Sequence, residues 1–208
     1  MTAGKRCELH GTELVPLGTA VTPLPRNLNE MRKVAKRRFP NANSYLFDRL
    51  IAEDGVADAK TVCLDCRKAE KAWYEQNDAY YSTGYVVDDQ SVNLTIRVGE
   101  ANPELRKILR DLNAATWAFL TAWNPMSQPL PAEENEARQT ELVLLLDHQQ
   151  YAYLRGYGVG EDPAWEPEGS LFILGISRED AIDIAKRFDQ NAILWGDADG
   201  GPELIWCV

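Results

Sequence analysis

The chain has 208 residues, 45% of them hydrophobic, which is enough for a packed core and too many for a disordered chain. Its formal net charge is −10, spread unevenly: residues 1–73 carry 13 Lys/Arg against 9 Asp/Glu, and residues 74–208 carry 9 against 23. Phosphate neutralisation needs clustered cations, so the acidic part is disfavoured for nucleic acid, and no apolar run is long enough to cross a bilayer.

In chain order, Cys7-x-x-His10 comes first, followed directly by Gly11, where a glycine lets the backbone turn its N–H groups toward ligand sulfur. Residues 12–22 alternate loosely and predict a short hairpin. Pro23 and Pro25 interrupt regular structure; Asn29 then caps a helix running to Arg38, ended by Phe39-Pro40-Asn41. That helix is basic, with Arg32, Lys33, Lys36, Arg37 and Arg38, and Arg26 just before it. Thr61-Val62 leads into Cys63-x-x-Cys66, and the segment after Cys66 is a strong helix former.

Two ligand pairs, each spaced by two residues, predict a four-coordinate site of Cys7, His10, Cys63 and Cys66 for a structural Zn²⁺, in a treble-clef or zinc-ribbon-like module over residues 1–75. Four protein ligands leave no open position for catalysis. The fourth cysteine, Cys207, stands alone. The N-terminus lacks the apolar core of a signal peptide, and the expected location is the cytoplasm.

Residues 76–208 predict an α+β domain. Strands are expected at 80–87 and 92–98, and a helix follows the Asn102 cap with Leu105, Ile108, Leu109 and Leu112 at helical spacing. A strand runs from Trp117 to Trp123, a Pro-rich loop from Asn124 to Pro131, and a helix from Glu133 to about Gln149. Strands at 151–157 and 170–176, a helix capped by Ser177 with Asp180 three residues on, and strands at 191–195 and 203–208 complete it. The order ββαβαββαββ implies a mixed or antiparallel sheet with helices packed on it.

Several motifs are recognisable in this part: Thr121-Ala122-Trp123-Asn124-Pro125, Glu134-Asn135-x-x-Arg138, Gly156-Tyr157-Gly158, Trp165 to Ser170, and Asp189-Gln190-Asn191-Ala192. In this order and spacing, the stretch of about 80–195 resembles the bacterial domain-of-unknown-function family numbered 3293. That resemblance identifies the domain and implies no activity.

The candidate ligand-binding residues are Thr121, Asn124, Asn135, Arg138, Glu168 and Gln190. Asn135 and Arg138 share a helix face, and an arginine at the core rim can fork onto a phosphate or carboxylate. The expected ligand is an anionic, nucleotide-like small molecule. The alternative is that Asn135 and Arg138 brace the loop by bonding its carbonyls. Glu166 or Glu168 at a strand mouth is a candidate general base, weighed against an ordinary solvated loop acid. Gln190 and Asn191 either close a turn or read a base edge or an amide ligand. His148 near a helix C-terminus is read as a dipole partner only. Two further functional classes stay open: a nucleic-acid or protein-binding module using the basic zinc unit, and a toxin- or defence-type nucleic-acid enzyme. Docking of the basic helix on the acidic part outweighs nucleic acid. Oligomeric state is not legible.

Overall fold

The computed structural model of the protein describes residues 5–16, 34–35, 37–42, 61–89, 92–161, 165–199 and 201–207. The chain divides into two compact units, residues 1–78 and 79–208.

In the first unit, Arg6 and Glu13 bridge across a tight turn that holds Cys7 and His10. Cys7 N donates to Thr12 O and Gly11 N donates to Cys7 O, each at 2.8 Å, and Gly11 sits at φ +66°, a conformation that costs an L side chain energy. Strand β1 (Val15–Pro16) pairs antiparallel with β2 (Thr61–Val62). Val15 and Pro16 therefore find a partner far along the chain; of the short hairpin expected over 12–22, residues 17–22 lie outside the described ones. Of the basic helix expected from Asn29 to Arg38, Val34, Ala35, Arg37 and Arg38 are helical, and the rest, with Arg26, Arg32, Lys33 and Lys36, lies outside the described residues. Helix α1 (Leu64–Ser82) starts directly after Cys63.

The second unit is α+β. Its elements are β3 (Gly84–Asp89), β4 (Val92–Ile96), α2 (Pro103–Asp111), β5 (Thr116–Leu120), a 3₁₀ turn (Pro125–Ser127), α3 (Ala132–His148), β6 (Tyr153–Val159), β7 (Glu168–Leu174), α4 (Arg178–Arg187), β8 (Ala192–Asp197) and β9 (Glu203–Trp206). The predicted order of strands and α-helices holds. The sheet order is β4-β3-β6-β7-β5-β8-β9, and every pairing is antiparallel.

Period-two alternation sends successive residues of each central strand into different cores. On one face Ala118, Leu120, Leu171, Ile173 and Ile193 pack with Leu142 and Leu146 of α3 and Ile184 of α4. On the other, Trp117, Phe119, Phe172 and Leu194 pack with Leu105 and Leu109 of α2. Strand β5 is buried on both faces, which is why it reads as a nearly unbroken apolar run. The caps are as expected: Asn102 Oδ1 accepts from Glu104 N and Leu105 N, and Ser177 Oγ accepts from Asp180 N while donating to Asp180 Oδ2.

Several boundaries need correction: besides those below, β4 ends at Ile96, β6 runs from Tyr153 to Val159 in place of 151–157, and β9 ends at Trp206. Tyr80 and Tyr81, expected in a strand, are the end of α1: their aromatic rings join the α2-side core, and Tyr80 meets Trp206 edge-on at 5.6 Å. Packing overrides their β propensity. Thr83 N and Oγ1 both bond Ala79 O, which closes the helix and lets β3 start at Gly84. Strand β5 stops at Leu120, three residues short of Trp123, because Thr121 Oγ1 turns back to accept from Trp123 N and to donate to Gly169 O. Strand β7 starts at Glu168, two residues before the expected Ser170.

Candidate functional site

The first cluster is built by the turn after Arg6 and by the start of α1. Cys7 lies at the head of the turn and His10 at its end; Cys63 precedes the helix and Cys66 is in its first turn. The ligand atoms of Cys7, His10, Cys63 and Cys66 all lie within 4.8 Å of one another, close enough to hold a metal ion. His10 Nδ1 is 3.7 Å from Cys7 Sγ, 3.7 Å from Cys63 Sγ and 3.4 Å from Cys66 Sγ, and Cys7 Sγ is 3.6 Å from Cys66 Sγ. The three cysteines are buried and His10 is exposed.

Donors surround the sulfurs. Cys66 N points at Cys63 Sγ and Asn41 Nδ2 at Cys7 Sγ, each at 3.4 Å. Burial works against ionisation of Cys7, but hydrogen bonds from Asn41 and His10 outweigh it and bring the thiol to about 6. Burial, with the neighbouring thiols, pushes Cys66 up to about 12. Thr12 Oγ1 donates to Asp65 Oδ2 and so ties the turn to the helix start. Asn41 also accepts from Cys63 N through its carbonyl at 2.8 Å, so one residue touches both ligand pairs. The sequence flagged Asn41 only as a helix stop.

The second cluster gathers all six residues picked from the α+β unit around the loop 121–130, with Thr121 as its first hinge. Asn135, on the first turns of α3, is 2% exposed. Its Oδ1 accepts from Asn124 N at 2.9 Å, and its Nδ2 donates to Asn124 Oδ1 at 2.9 Å and to Leu130 O at 3.2 Å. Leu130 N also donates to Asn124 Oδ1 at 3.0 Å. One turn along, Arg138 donates from Nε to Ala122 O at 2.8 Å and from a terminal nitrogen to Phe188 O at 2.6 Å, and it lies 3.6 Å from Asp189 Oδ2. Gln139 Oε1 accepts from Ala122 N at 3.0 Å. Gln190 Nε2 donates to Trp123 O at 2.8 Å. Gln139 was not singled out from sequence, although it lies four residues after Asn135 on the same helix face.

Glu168, rather than Glu166, is the acid joined to this cluster. Its Oε1 accepts from Asn124 Nδ2 at 2.8 Å and Trp165 Nε1 at 2.9 Å. Burial raises its carboxyl above the ordinary range, against the pull of those two donors. Nearby, Ser127 Oγ accepts from Asn191 Nδ2 at 3.0 Å and is 3.2 Å from Tyr80 OH. Non-glycine residues in the left-handed region concentrate here: Asn124 at φ 45°, Met126 at 52°, Ser127 at 55° and Asp189 at 54°. The two strained turns are bonded to each other by Met126 N to Asp189 O at 2.7 Å. The side-chain network over-determines this backbone, as such conformations require. His148 is the last residue of α3 and is exposed.

Fold and clusters together define an α+β domain with a polar-braced loop, preceded by a module with a Cys/His group able to hold a metal. Residues 120–193 match the family described as "Protein of unknown function (DUF3293)". That span takes in all of the braced loop, α3 and α4. No curated protein and no solved structure matches the chain. Among the described residues, no helix is long and apolar enough to cross a membrane.

Proposed function

We propose that the chain is a structural-zinc protein in which Zn²⁺, held by Cys7, His10, Cys63 and Cys66, fixes the first module, while the α+β unit is the functional body. The carrying observation is the spacing of the ligand atoms. A tetrahedral zinc with Zn–S of about 2.3 Å and Zn–N of about 2.0–2.1 Å has S···S edges of about 3.8 Å and S···N edges of about 3.6 Å. The four distances given above run from 3.4 to 3.7 Å. Three thiolates and one imidazole leave a net negative centre, which the α1 N-terminus and the Asn41 and Cys66 N–H donors offset. All four positions are protein ligands, so the metal supplies shape and no reactive water.

In the α+β unit, the hydrogen bonds support the bracing reading of Asn135 and Arg138 over an anion bound between them. Both amide atoms of Asn135 are engaged with the loop, and Arg138 is spread over two backbone carbonyls and Asp189. Elemental analysis of the purified protein tests the zinc assignment: one zinc per chain is expected, falling to none in Cys63→Ser/Cys66→Ser. Protein purified under reducing, chelator-free conditions with no stoichiometric zinc would overturn it.

A further inference from the structure

The core beneath α3 and α4 draws its residues from β5 to β9 and none from β3 or β4. On that same face Thr95 of β4, Gly84 and Val86 of β3, and Tyr157 and Val159 of β6 line a concave surface of about 320 Å³. The register fixes its floor. Thr95, Val86 and Tyr157 lie in one row across the three strands, because Val86 pairs with both Thr95 and Tyr157. In the next row Gly84 pairs with Val159. Gly84 leaves a gap there: a side chain would start 3.4 Å from Thr95 Cγ2 and 3.9 Å from the Arg97 guanidinium.

The polar groups of this groove differ from those of the braced loop in being unspent. Arg97 uses one terminal nitrogen, donating to Ser82 O at 3.1 Å. Glu161 lines the same groove, and among the described residues it has no ion pair or hydrogen bond, and neither does the Tyr157 hydroxyl. Two opposite charges thus border one cavity of ligand size without pairing. An apolar and aromatic strip, Val86 and Tyr157, belongs to the same cavity.

We propose that this groove binds a small zwitterion: an anionic carboxylate or phosphate on Arg97, an ammonium on Glu161, and the connecting carbons over Val86 and the Tyr157 ring. Arginine suits the anion because its planar fork makes paired charge-assisted bonds. An ammonium prefers a lone carboxylate and gains from a neighbouring aromatic face. This site is independent of the zinc assignment and of the braced loop.

The test is an amide NMR titration of the full chain with phosphoethanolamine, inorganic phosphate and ethanolamine as probes. Phosphoethanolamine is expected to shift amides of 84–86, 95–97 and 157–161 saturably, with a dissociation constant below about 1 mM, and either half alone to bind at least about ten-fold more weakly. Arg97→Met and Glu161→Gln should each weaken binding by about ten-fold or more. Gly84→Val fills the gap, keeps both charges and should abolish the shifts while the rest of the spectrum is retained. Arg97 also bonds Ser82, so the Gly84 variant keeps the test decisive if Arg97→Met unfolds. Absence of saturable shifts with phosphoethanolamine, equal binding of either half, or binding unchanged in Gly84→Val would overturn the proposal.

Discussion

Asn124 and Asn135 hold each other by a reciprocal pair of bonds: the Asn124 backbone N–H on Asn135 Oδ1, and the Asn135 amide on Asn124 Oδ1, both at 2.9 Å. The pair is the keystone of the 121–130 loop, because Asn124 sits at φ 45° and ψ 63° and needs outside bonds to stay there. Its side chain also passes the connection on to Glu168 of β7. Helix α3, the loop and the sheet are thereby one polar unit.

Asn135→Ala should therefore destabilise the α+β unit strongly. It strands the Asn124 N–H and leaves Leu130 O short of a donor in a 2% exposed position. The expected loss is about 2–4 kcal/mol, from one to two buried groups left unsatisfied. Urea unfolding followed by far-UV circular dichroism measures it. A change below about 0.5 kcal/mol would mean that the loop does not depend on the pair.

Arg138 is predicted to act by its fork and not by its charge alone. Nε and a terminal nitrogen reach two different carbonyls, Ala122 O and Phe188 O, in two separate turns. Lysine presents a point charge and cannot span both. Arg138→Lys should then lose about 1.5–3 kcal/mol, close to the loss in Arg138→Met, since bonds to a charged donor are worth that much. The same unfolding experiment decides: full rescue by lysine would show that pairing with Asp189 is what matters.

The element order of the α+β unit was legible because its signals are local. Asn102 and Ser177 are cap residues whose hydroxyl or amide reaches N–H groups two or three positions on, and β5 and β7 are short apolar runs. The grouping of Cys7, His10, Cys63 and Cys66 was legible for the same reason: each pair is a fixed local spacing. What failed were features set by distant partners. Tyr80 looks like strand and is helix because Trp206 and the α2-side core claim its ring. Val15 pairs with Val62 across more than forty residues, and no local pattern encodes that. Asn41, Gln139 and Ser127 gain their roles from sulfur, amide and hydroxyl groups far away in sequence. The groove of Arg97 and Glu161 exists only once β3, β4 and β6 are laid in register.

Glu168→Gln should raise stability at neutral pH. Burial lifts the Glu168 carboxyl above its ordinary value, so the folded state holds the proton more tightly than the unfolded chain does. The wild type thus loses stability as pH rises from the unfolded-state value through the folded-state one, and the charge remains a cost at pH 7. A glutamine whose carbonyl faces Asn124 Nδ2 and Trp165 Nε1 keeps both bonds without that cost. The gain should be present at pH 7 and should disappear as acid protonates the wild-type carboxyl and leaves both side chains neutral. Unfolding midpoints measured across pH 3–8 check the sign: a variant less stable than wild type at pH 7 would show that the charge on Glu168 holds the loop.

Metal retention should fall steeply with acidity. Thiolate, not thiol, binds metal, and the burial that pushes Cys66 up to about 12 means that a cation must displace a proton there. Zinc uptake at neutral pH should therefore release protons into weakly buffered solution, and zinc should be lost on acidification as protons compete for the thiolates. Chelation at neutral pH has the same structural consequence by another route. With zinc bound, Cys7 and His10 would be joined to Cys63 and Cys66 through the shared ion, besides the cross-links made by Asn41, the Thr12–Asp65 bond and the β1–β2 pairing. Removing the ion should loosen the turn and the start of α1, while the seven-stranded sheet, whose cores contain none of the four ligands, stays folded. Amide hydrogen exchange before and after chelation reads this out: protection should disappear at residues 5–16 and 61–68 and persist in β5 and β7. Protection unchanged at 61–68 after complete zinc removal would show that the first module folds on its own contacts.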